Sequence, residues 1–153
     1  MNLHLRAARN DDGPAVERLV FGVLAEHGLV ADPDGTDTDL RNLETFYFGG
    51  FFDVLVNEGE EIVGSVGLRR ISASECELRK MYLAPHARGF GWGRRLLDHA
   101  LHRARTLGFS RVTLETAAAL RDAITLYERN GFRRYTPEHP MAPRCDATYC
   151  REL

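Results

Sequence analysis

Residues 88–97 read RGFGWGRRLL, and this run decides how the rest of the chain is interpreted. Gly89, Gly91 and Gly93 stand directly before a stretch in which leucine and alanine recur at helical spacing. Glycine inside a helix costs about 1 kcal/mol relative to alanine, so this helix entrance must need backbone without side chains. A helix N-terminus presents unpaired N–H groups and a partial positive charge, and both attract phosphate. The run therefore predicts a phosphate cradle at a strand-to-helix turn.

Two common phosphate-binding motifs do not fit this glycine run. A P-loop would end in Gly-Lys-Ser or Gly-Lys-Thr, and that ending is absent. In the dinucleotide motif G-x-G-x-x-G, Gly89 and Gly91 would need a third glycine at position 94, where Arg94 stands. Arg88, Arg94 and Arg95 add cationic donors suited to a pyrophosphate. The alternative interpretation is that the glycines only make a tight turn between a strand and a helix.

Regular structure is predicted on both sides of the glycine run. Before it, the hydrophobic patterning indicates a strand, a helix within residues 11–28, a second helix over 39–48 and three consecutive strands. After it come a helix, a strand, a short helix and two closing strands. Consecutive strands favour antiparallel pairing, and the later strand-helix-strand unit favours a parallel crossover. The expected architecture is a mixed α/β sheet.

Composition excludes several classes of protein. A length of 153 residues fits one domain spanning 1–153, and a net charge of −2 gives no reason to expect nucleic acid or an anionic membrane as partner. No apolar run is long enough for a membrane span or a signal peptide. Cys76, Cys145 and Cys150 have no C-x-x-C spacing, which favours a reduced, cytoplasmic protein. The histidines lack metal-ligand spacing, so no metal is expected, and His99 and His102 are predicted to face solvent.

Three segments, in this order and spacing, resemble the GNAT superfamily of N-acetyltransferases. Arg88, Gly91 and Gly93 match the acetyl-CoA signature of that family, Gln/Arg-x-x-Gly-x-Gly/Ala. ELRKMYLAPHARG (77–89) resembles its fourth strand with the following loop, and AITLYERNGF (123–132) resembles its fourth helix. The resemblance spans nearly the whole chain and is strongest over residues 77–132. One departure is Leu120, where many members carry an asparagine that contacts the cofactor arm, so that contact is missing or replaced here.

The resemblance implies a GNAT fold, with a mixed, largely antiparallel central sheet of six to seven strands flanked by about four helices. It also implies direct transfer of an acetyl group from acetyl-CoA, as co-substrate, to an amine of a small molecule or protein. A non-enzymatic acyl-CoA-binding module of the same fold and a nucleotide-binding domain of another kind are the alternatives, and a homodimer is a further expectation. The residues that the resemblance places at the cofactor are Met81, Tyr82, Leu83, Arg88, Gly89, Phe90, Gly91, Trp92, Gly93 and Arg94.

Direct transfer needs a base, because an alkylamine with a pKa near 10 is mostly protonated at neutral pH. Glu77 is the candidate, since some relatives in the histone-modifying branch carry a catalytic glutamate at this distance before the signature. Strand alternation predicts that Glu77, Arg79 and Met81 share one face of the fourth strand. The alternative is a surface glutamate paired with Arg79 or a neighbouring lysine.

The departing thiolate benefits from a proton donor, and the oxygen that gains charge needs N–H donors. Tyr127 occupies the tyrosine position of the family and is the candidate acid, although its ring could simply pack beside Ile124. The resemblance assigns the N–H donors to the fourth strand, from Met81 through Leu83. Cys145 has no identifiable histidine partner and is expected to be structural.

An acidic segment, DPDGTDTD, spans residues 32–39 and contains Asp32, Asp34, Asp37 and Asp39. Its glycine and glutamate spacing does not match a calcium loop. Two interpretations stay open. In one, the segment is a solvated loop in which Asp37 or Thr38 caps the next helix. In the other, it is a lid on the acceptor side whose carboxylates attract a cationic amine.

Overall fold

The computed structural model describes residues 2–153, and a seven-stranded sheet runs through its centre. The sheet has the spatial order β1-β2-β3-β4-β5-β7-β6. Neighbouring strands are antiparallel, except that β4 and β5 run parallel. This confirms the mixed, largely antiparallel sheet expected from the sequence. The strands are β1 (His4–Ala7), β2 (Phe51–Val56), β3 (Ile62–Arg70), β4 (Glu75–Leu83), β5 (Arg111–Thr116), β6 (Arg133–Arg134) and β7 (Ala147–Glu152).

Four α-helices flank the sheet in the predicted order: α1 (Gly13–Glu26), α2 (Leu43–Phe46), α3 (Trp92–Thr106) and α4 (Arg121–Arg129). The single helix predicted over 39–48 is wrong. A 3-10 turn at Thr38–Arg41 precedes the one-turn helix α2, because Asn42 leaves the helical region with φ −151° and accepts a hydrogen bond from the N–H of Thr45 at 3.4 Å. Within residues 2–153, no helix combines the length and hydrophobicity that a membrane crossing needs.

The core consists of two layers, one on each face of the sheet. On the face covered by α3 and α4, Leu96 and Leu97 pack against Val66, Leu68 and Leu78. We call this the α3/α4 face. The opposite face is covered by α1 and α2, where the buried residues include Val16, Val20, Leu43, Phe52 and Val54. We call it the α1/α2 face.

Strand β4 contains a bulge at Lys80. Ser65 pairs with Tyr82 while Gly67 pairs with Arg79, so two residues of β4 lie opposite one residue of β3. Lys80 has φ +54°, in the left-handed region that side-chain-bearing residues rarely adopt. A bulge of this kind adds one unpaired residue to a strand and changes the direction of the side chains beyond it.

This bulge overturns one expectation about the faces of β4. Before it, Leu78 belongs to the α3/α4 core while Glu77 contacts Arg79 on the other side. After it, Met81 packs against the α3/α4 core and Tyr82 against the α1/α2 core. The prediction that Glu77 and Met81 share a face is therefore wrong, because the extra residue reverses the alternation between them.

Strands β4 and β5 separate soon after they begin to pair. Their ladder covers only residues 75–77 of β4 and 111–113 of β5. Beyond these residues, β4 continues to Leu83 beside β3, and β5 continues to Thr116 beside β7. The sheet consequently opens into a V-shaped gap, and the glycine run follows the free end of β4.

Candidate active site

The gap between β4 and β5 widens into a cleft of about 420 Å³. The glycine run lines one side of it, and α4 and the loop before β7 line others. Both faces of the sheet contribute side chains, because the gap passes between them. Residues that line the cleft include Glu77, Lys80, Met81, Gly91, Glu115, Tyr127 and Arg144.

The glycine run turns the chain into α3 through two left-handed residues. Gly89 has φ +85°, and Gly91, the N-cap of α3, has φ +82°. A Cβ atom on either glycine would meet no atom within 4 Å, so glycine is needed here for its backbone conformation and leaves the surface open. This agrees with the tight turn and also leaves space for a ligand against the backbone.

Successive N–H groups at this turn are unpaired. The N–H groups of residues 89–94 donate to no protein acceptor in the described chain, whereas the N–H of Arg95 donates to the carbonyl of Gly91 at 3.2 Å. Unpaired donors at a helix N-terminus, beside an open cleft, form a site for an anionic group. The turn is therefore suited to the diphosphate of coenzyme A.

The side chain of Arg88, the first residue of the signature, binds other parts of the protein. The guanidinium of Arg88 donates to the carbonyl of Leu83 at 2.9 and 3.1 Å and forms an ion pair with Glu26. Arg88 thus ties the glycine run to the end of β4 and to α1. Its guanidinium is engaged by these partners, so the backbone is the main anion-binding element of the signature.

Three further residues predicted at the cofactor differ in which of their groups is available to a ligand. The indole of Trp92 is buried against Leu3 and Val63, so only its backbone N–H belongs to the anion site. Phe90 is 57% exposed at the tip of the turn. Arg94 is exposed and pairs with Asp98 one turn along α3, at 3.1 Å.

The N–H of Met81 points into the gap. Ala84 donates its N–H to Val63 on β3, at 2.8 Å. Because N–H directions alternate along a strand, the N–H of Tyr82 also faces β3, while those of Met81 and Leu83 face away from it. On that side β5 has already separated. The N–H of Met81 is consequently a donor available to a ligand in the cleft.

Tyr127 lies on α4 with its ring in the core and its hydroxyl at the cleft. The residue is 6% exposed, and its ring packs against Phe132 at 5.7 Å between centroids. Among the described residues its hydroxyl has no hydrogen-bond partner. Burial, with a smaller contribution from the neighbouring Tyr82, raises the pKa of Tyr127 above its ordinary value. Tyr127 therefore stays protonated at neutral pH and can donate a proton.

Glu77 is buried to 9% exposure and pairs with Arg79, with Oε1 and Nη1 3.2 Å apart. Arg79 also donates to the carbonyl of Thr36, at 3.1 Å, in the loop between α1 and α2. The ion pair considered as an alternative for Glu77 is thus present. It is located at the cleft, so the pair orients the carboxylate without removing it from the site.

Four charged residues, of which all but the half-buried Arg144 are buried, close the cleft on the α1/α2 face, and we call Asp37, Asp39, Lys80 and Arg144 the clasp network. Asp37 is fully buried and accepts two hydrogen bonds from the guanidinium of Arg144, at 2.6 and 2.7 Å. The ammonium of Lys80 lies 3.1 Å from Asp37 and 3.3 Å from Asp39. The network joins the α1–α2 loop, the loop before β7 and strand β4.

The clasp network changes the acidity of Asp37. Burial by itself would raise the pKa of this carboxyl. Hydrogen bonds from Arg144 and from the N–H of Asp32, together with the charge of Lys80, outweigh burial and lower the pKa to about 2. Asp37 is therefore ionised throughout the neutral range.

The structure decides part of the question about the acidic segment. Asp37 occupies the N-cap position of the following 3-10 turn, but its side chain makes no capping hydrogen bond, and the hydroxyl of Thr38 donates to the carbonyl of Gly35 at 3.0 Å. The prediction that one of these side chains caps the helix is wrong. Asp32 accepts from the N–H of Thr36 at 2.9 Å, and the exposed Asp34 pairs with Arg41. The buried carboxylates are matched by the protein's own cations, so attraction of a cationic amine does not follow from them.

Sequence reasoning missed two residues of the cleft, Glu115 and Arg144. Glu115 accepts from the N–H of Ala142 at 2.8 Å. It lies on the same sheet face as Glu77, because Thr113 pairs with Glu77 and Glu115 is two residues further along β5. Strand alternation in β5 could have revealed this. Arg144 reaches Asp37 across most of the chain and leaves no local signal.

Two expectations about other side chains had different outcomes. His99 does not simply face solvent: its Nε2 lies 2.7 Å from the Oδ2 of the buried Asp53, which Arg103 also contacts. Burial, then the charge of Glu115, raises the pKa of the Cys145 thiol to about 11, as suits a structural cysteine. Among residues 2–153, no cluster of three histidine, cysteine or carboxylate side chains is placed to hold a metal ion.

A model of the Acetyltransferase (GNAT) family matches residues 21–132 of this sequence. The chain belongs to the GNAT family. The uncharacterized N-acetyltransferase YjgM of Escherichia coli K12 is 41% identical to this GNAT protein over an alignment of 136 residues, which covers 84% of this chain and 80% of the relative. The N-acetylaspartate synthetase of Danio rerio is 36% identical over 101 residues, 63% of this chain and 36% of that protein.

Solved structures confirm the GNAT fold. A GNAT acetyltransferase from Staphylococcus aureus Mu50 superposes with a TM-score of 0.92 at 24% identity, covering 99% of both chains. A phosphinothricin acetyltransferase from Sinorhizobium meliloti, solved in complex with AcCoA, gives a TM-score of 0.75 at 22% identity and covers 100% of this chain and 89% of its own. This GNAT protein is accordingly an acetyl-CoA-dependent N-acetyltransferase whose acceptor is an amine.

Proposed function

We propose that this acetyltransferase binds the diphosphate of acetyl-CoA on the N–H groups of residues 89–94 and passes the acetyl group directly to a primary amine of a small molecule or a protein. The observation that carries the proposal is the row of unpaired N–H donors at a cleft that also contains the N–H of Met81 and the hydroxyl of Tyr127. Acetyl-CoA supplies the reactive thioester carbonyl.

Each proton in this reaction has a candidate partner in the cleft. Glu77 accepts the proton of the amine, either directly or through a water molecule. As the new C–N bond forms, the N–H of Met81 donates to the carbonyl oxygen that gains charge. When the C–S bond breaks, Tyr127 gives its proton to the departing thiolate. One proton thus leaves the free amine for Glu77 and one reaches the sulfur from Tyr127, and transfer of a proton from Glu77 to Tyr127 through solvent restores both groups. An acceptor that arrives as an ammonium ion releases its additional proton to solvent.

The two faces of the sheet support this division of roles. Glu77 and Glu115 face the α1/α2 side, whereas Tyr127 belongs to the α3/α4 core. The N–H of Met81 lies in the gap between the two faces. An amine that enters from the α1/α2 side would attack the carbonyl in the gap, and the thiolate would leave toward Tyr127. Attack and departure then occur on opposite sides of the carbonyl.

We also place the enzyme in the reducing cytoplasm. Its three cysteines are unpaired, and Cys76 and Cys150 are buried. A net charge of −2 supports an amine acceptor rather than nucleic acid. A homodimer is the assembly we would test first, by light scattering.

A screen of amines with acetyl-CoA, read out by thiol release, identifies the acceptor, and Tyr127→Phe then tests the acid. We expect kcat to fall on the order of 10²-fold, because general acid catalysis contributes about that much. The affinity for coenzyme A, measured by calorimetry, is expected to stay unchanged.

Tyr149→Phe is the matched control. Tyr149 is also buried, its hydroxyl donates to Glu128 at 3.2 Å, and it does not line the cleft. Its variant is expected to keep the wild-type kcat. If Tyr127→Phe also keeps the wild-type kcat at saturating substrate, Tyr127 is not the acid.

A further inference from the structure

Lys80 combines two unfavourable features in one residue. Its backbone has φ +54°, a conformation that costs about 1 kcal/mol or more for a residue with a side chain. Its ammonium group is also buried, with the whole residue 8% exposed, and a buried charge is costly unless it is paired. Such strain persists only where surrounding contacts hold it in place, and it concentrates at functional sites.

Contacts hold Lys80 at both ends. At the backbone end, the hydroxyl of the fully buried Ser65 donates to the carbonyl of Lys80 at 2.7 Å. At the side-chain end, the ammonium lies between the carboxylates of Asp37 and Asp39. The bulge is thus fixed to β3 on one side and to the α1–α2 loop on the other.

We propose that Lys80 is a positioning residue that, with Ser65, fixes the bulge of β4 so that the N–H of Met81 points into the cleft. The inference rests on the proposed function, in which that N–H donates to the carbonyl oxygen of acetyl-CoA. Lys80 lines the cleft, but its ammonium is held by Asp37 and Asp39, so in this scheme it contacts neither substrate. It acts through the peptide that joins it to Met81, because the carbonyl of Lys80 and the N–H of Met81 belong to the same planar unit.

Because Lys80 and Met81 share this peptide plane, fixing the carbonyl of Lys80 also fixes the direction of the Met81 N–H. Ser65 holds the carbonyl on the β3 side, so the N–H at the other edge of the same plane must point away from β3. Without the two anchors, the strained residue is free to relax to a negative φ. The peptide plane would rotate, and the donor would leave the cleft while the rest of β4 stayed paired.

The clasp network extends this dependence to the acceptor side. Asp37 contacts Lys80 and Arg144 together, so the same carboxylate fixes the bulge and the loop before β7. The position of that loop and the orientation of the Met81 N–H are consequently linked through one side chain. Weakening the Asp37–Arg144 pair is expected to affect acceptor binding, because Arg144 itself lines the cleft.

The test follows the Met81 amide by NMR in complexes with coenzyme A and with acetyl-CoA, which differ only in the acetyl group. In the wild-type protein we expect the amide proton to shift downfield when the acetyl group is present. Lys80→Met removes the ammonium and Ser65→Ala removes the hydroxyl. Both variants are expected to lose at least half of that shift while binding coenzyme A as the wild type does.

Activity gives a second reading once an acceptor amine is identified. Loss of one oxyanion donor lowers kcat about 10²- to 10³-fold, so a displaced donor is expected to lower it at least tenfold. Arg41→Ala is the control, because Arg41 forms an exposed ion pair with Asp34 in the same loop and lies outside the cleft. This variant is expected to keep the wild-type shift and kcat.

The outcomes separate the two proposals. If the Met81 amide responds to the acetyl group equally in the wild type and in both variants, the inference about Lys80 is overturned and the proposed function stands. If the wild-type amide does not respond at all, the role of the Met81 N–H as donor to the acetyl group is overturned, and the inference about Lys80 with it. Should Lys80→Met fail to fold because Asp37 and Asp39 lose the ammonium between them, Ser65→Ala decides alone, and an unchanged shift in that variant overturns the inference.

Discussion

Glu77 and Glu115 face the same side of the gap from neighbouring strands, yet their surroundings differ. Glu77 pairs with Arg79 at 3.2 Å, whereas Glu115 accepts a hydrogen bond from the backbone of Ala142. The bond from Ala142 fixes the loop before β7, which gives Glu115 a role in shaping the cleft. Glu77 holds no loop in this way, and its carboxylate is the better candidate for moving a proton.

Glu77→Gln is expected to lower kcat/KM about 10²-fold near neutral pH, because the amide cannot take the proton of the amine. The loss should shrink as the pH approaches the amine pKa near 10, where the free amine needs no base. Rate profiles against pH measure this change. Glu75→Gln on the same strand is the control, since Glu75 pairs with Arg111 outside the cleft. An equal loss at every pH would assign Glu77 a purely structural role.

Residue roles were predictable from the sequence only where a local spacing marks them. Glu77 and Tyr127 could be named as candidates because the resemblance to the GNAT family places a glutamate and a tyrosine at these positions. Lys80 could not, because nothing in a strand sequence signals a left-handed residue other than glycine. Arg144 pairs with Asp37 across 107 positions, and such a contact exists only after folding.

Helix α3 has a glycine in the left-handed conformation at each end. Comparing the two positions distinguishes the conformational role of glycine from a role in ligand binding. Gly91 has φ +82° before the helix and Gly108 has φ +90° after it. A Cβ atom at either position would meet nothing within 4 Å. The two sites therefore impose the same backbone demand, but only Gly91 lines the cleft.

Gly91→Ala and Gly108→Ala are each expected to lower the free energy of unfolding by about 1–2 kcal/mol, the cost of a left-handed alanine. Only Gly91→Ala should also weaken coenzyme A binding, by about tenfold, because 1.4 kcal/mol of strain at the donors corresponds to that factor. Urea unfolding and calorimetry give the two quantities. Equal coenzyme A affinity in both variants would remove the glycine run from the anion site.

The order of elements could be predicted because each element carries its own signal: alternation for strands, a 3.6-residue period for helices and glycine at the ends. The details of β4 could not. Its bulge reverses the side-chain pattern within one strand, so alternation read from Glu77 gives the wrong face for Met81. The second helix was overextended because the break at Asn42 depends on its backbone rather than on residue type.

For the whole molecule, the clasp network predicts how stability depends on pH. The pKa of Asp37 is lowered to about 2 in the folded protein, against 3.8 for the free side chain. The unfolded chain therefore binds a proton first as the pH falls. The stability contributed by Asp37 is complete above about pH 4 and is lost as the pH falls toward 2.

This contribution amounts to about 2 kcal/mol, from the difference between the two pKa values. Asp37→Asn should be less stable than the wild type at neutral pH, and the difference should narrow by that amount between pH 4 and pH 2. Urea unfolding across this range measures it. Asp34→Asn, at an exposed position of the same loop, is expected to follow the wild-type curve. A constant difference for Asp37→Asn would contradict the prediction.

Taken with the short β4–β5 ladder, the clasp network closes a ring. Its course runs from β4 across the ladder to β5, then to β7 and Arg144, and returns through Asp37 and Lys80 to β4. We expect a narrow acceptor, such as the end of a lysine side chain, to pass through this ring, whereas a bulky acceptor would first have to break the Asp37–Arg144 ion pair. The selectivity of the enzyme would then depend on the width of the acceptor as much as on its charge.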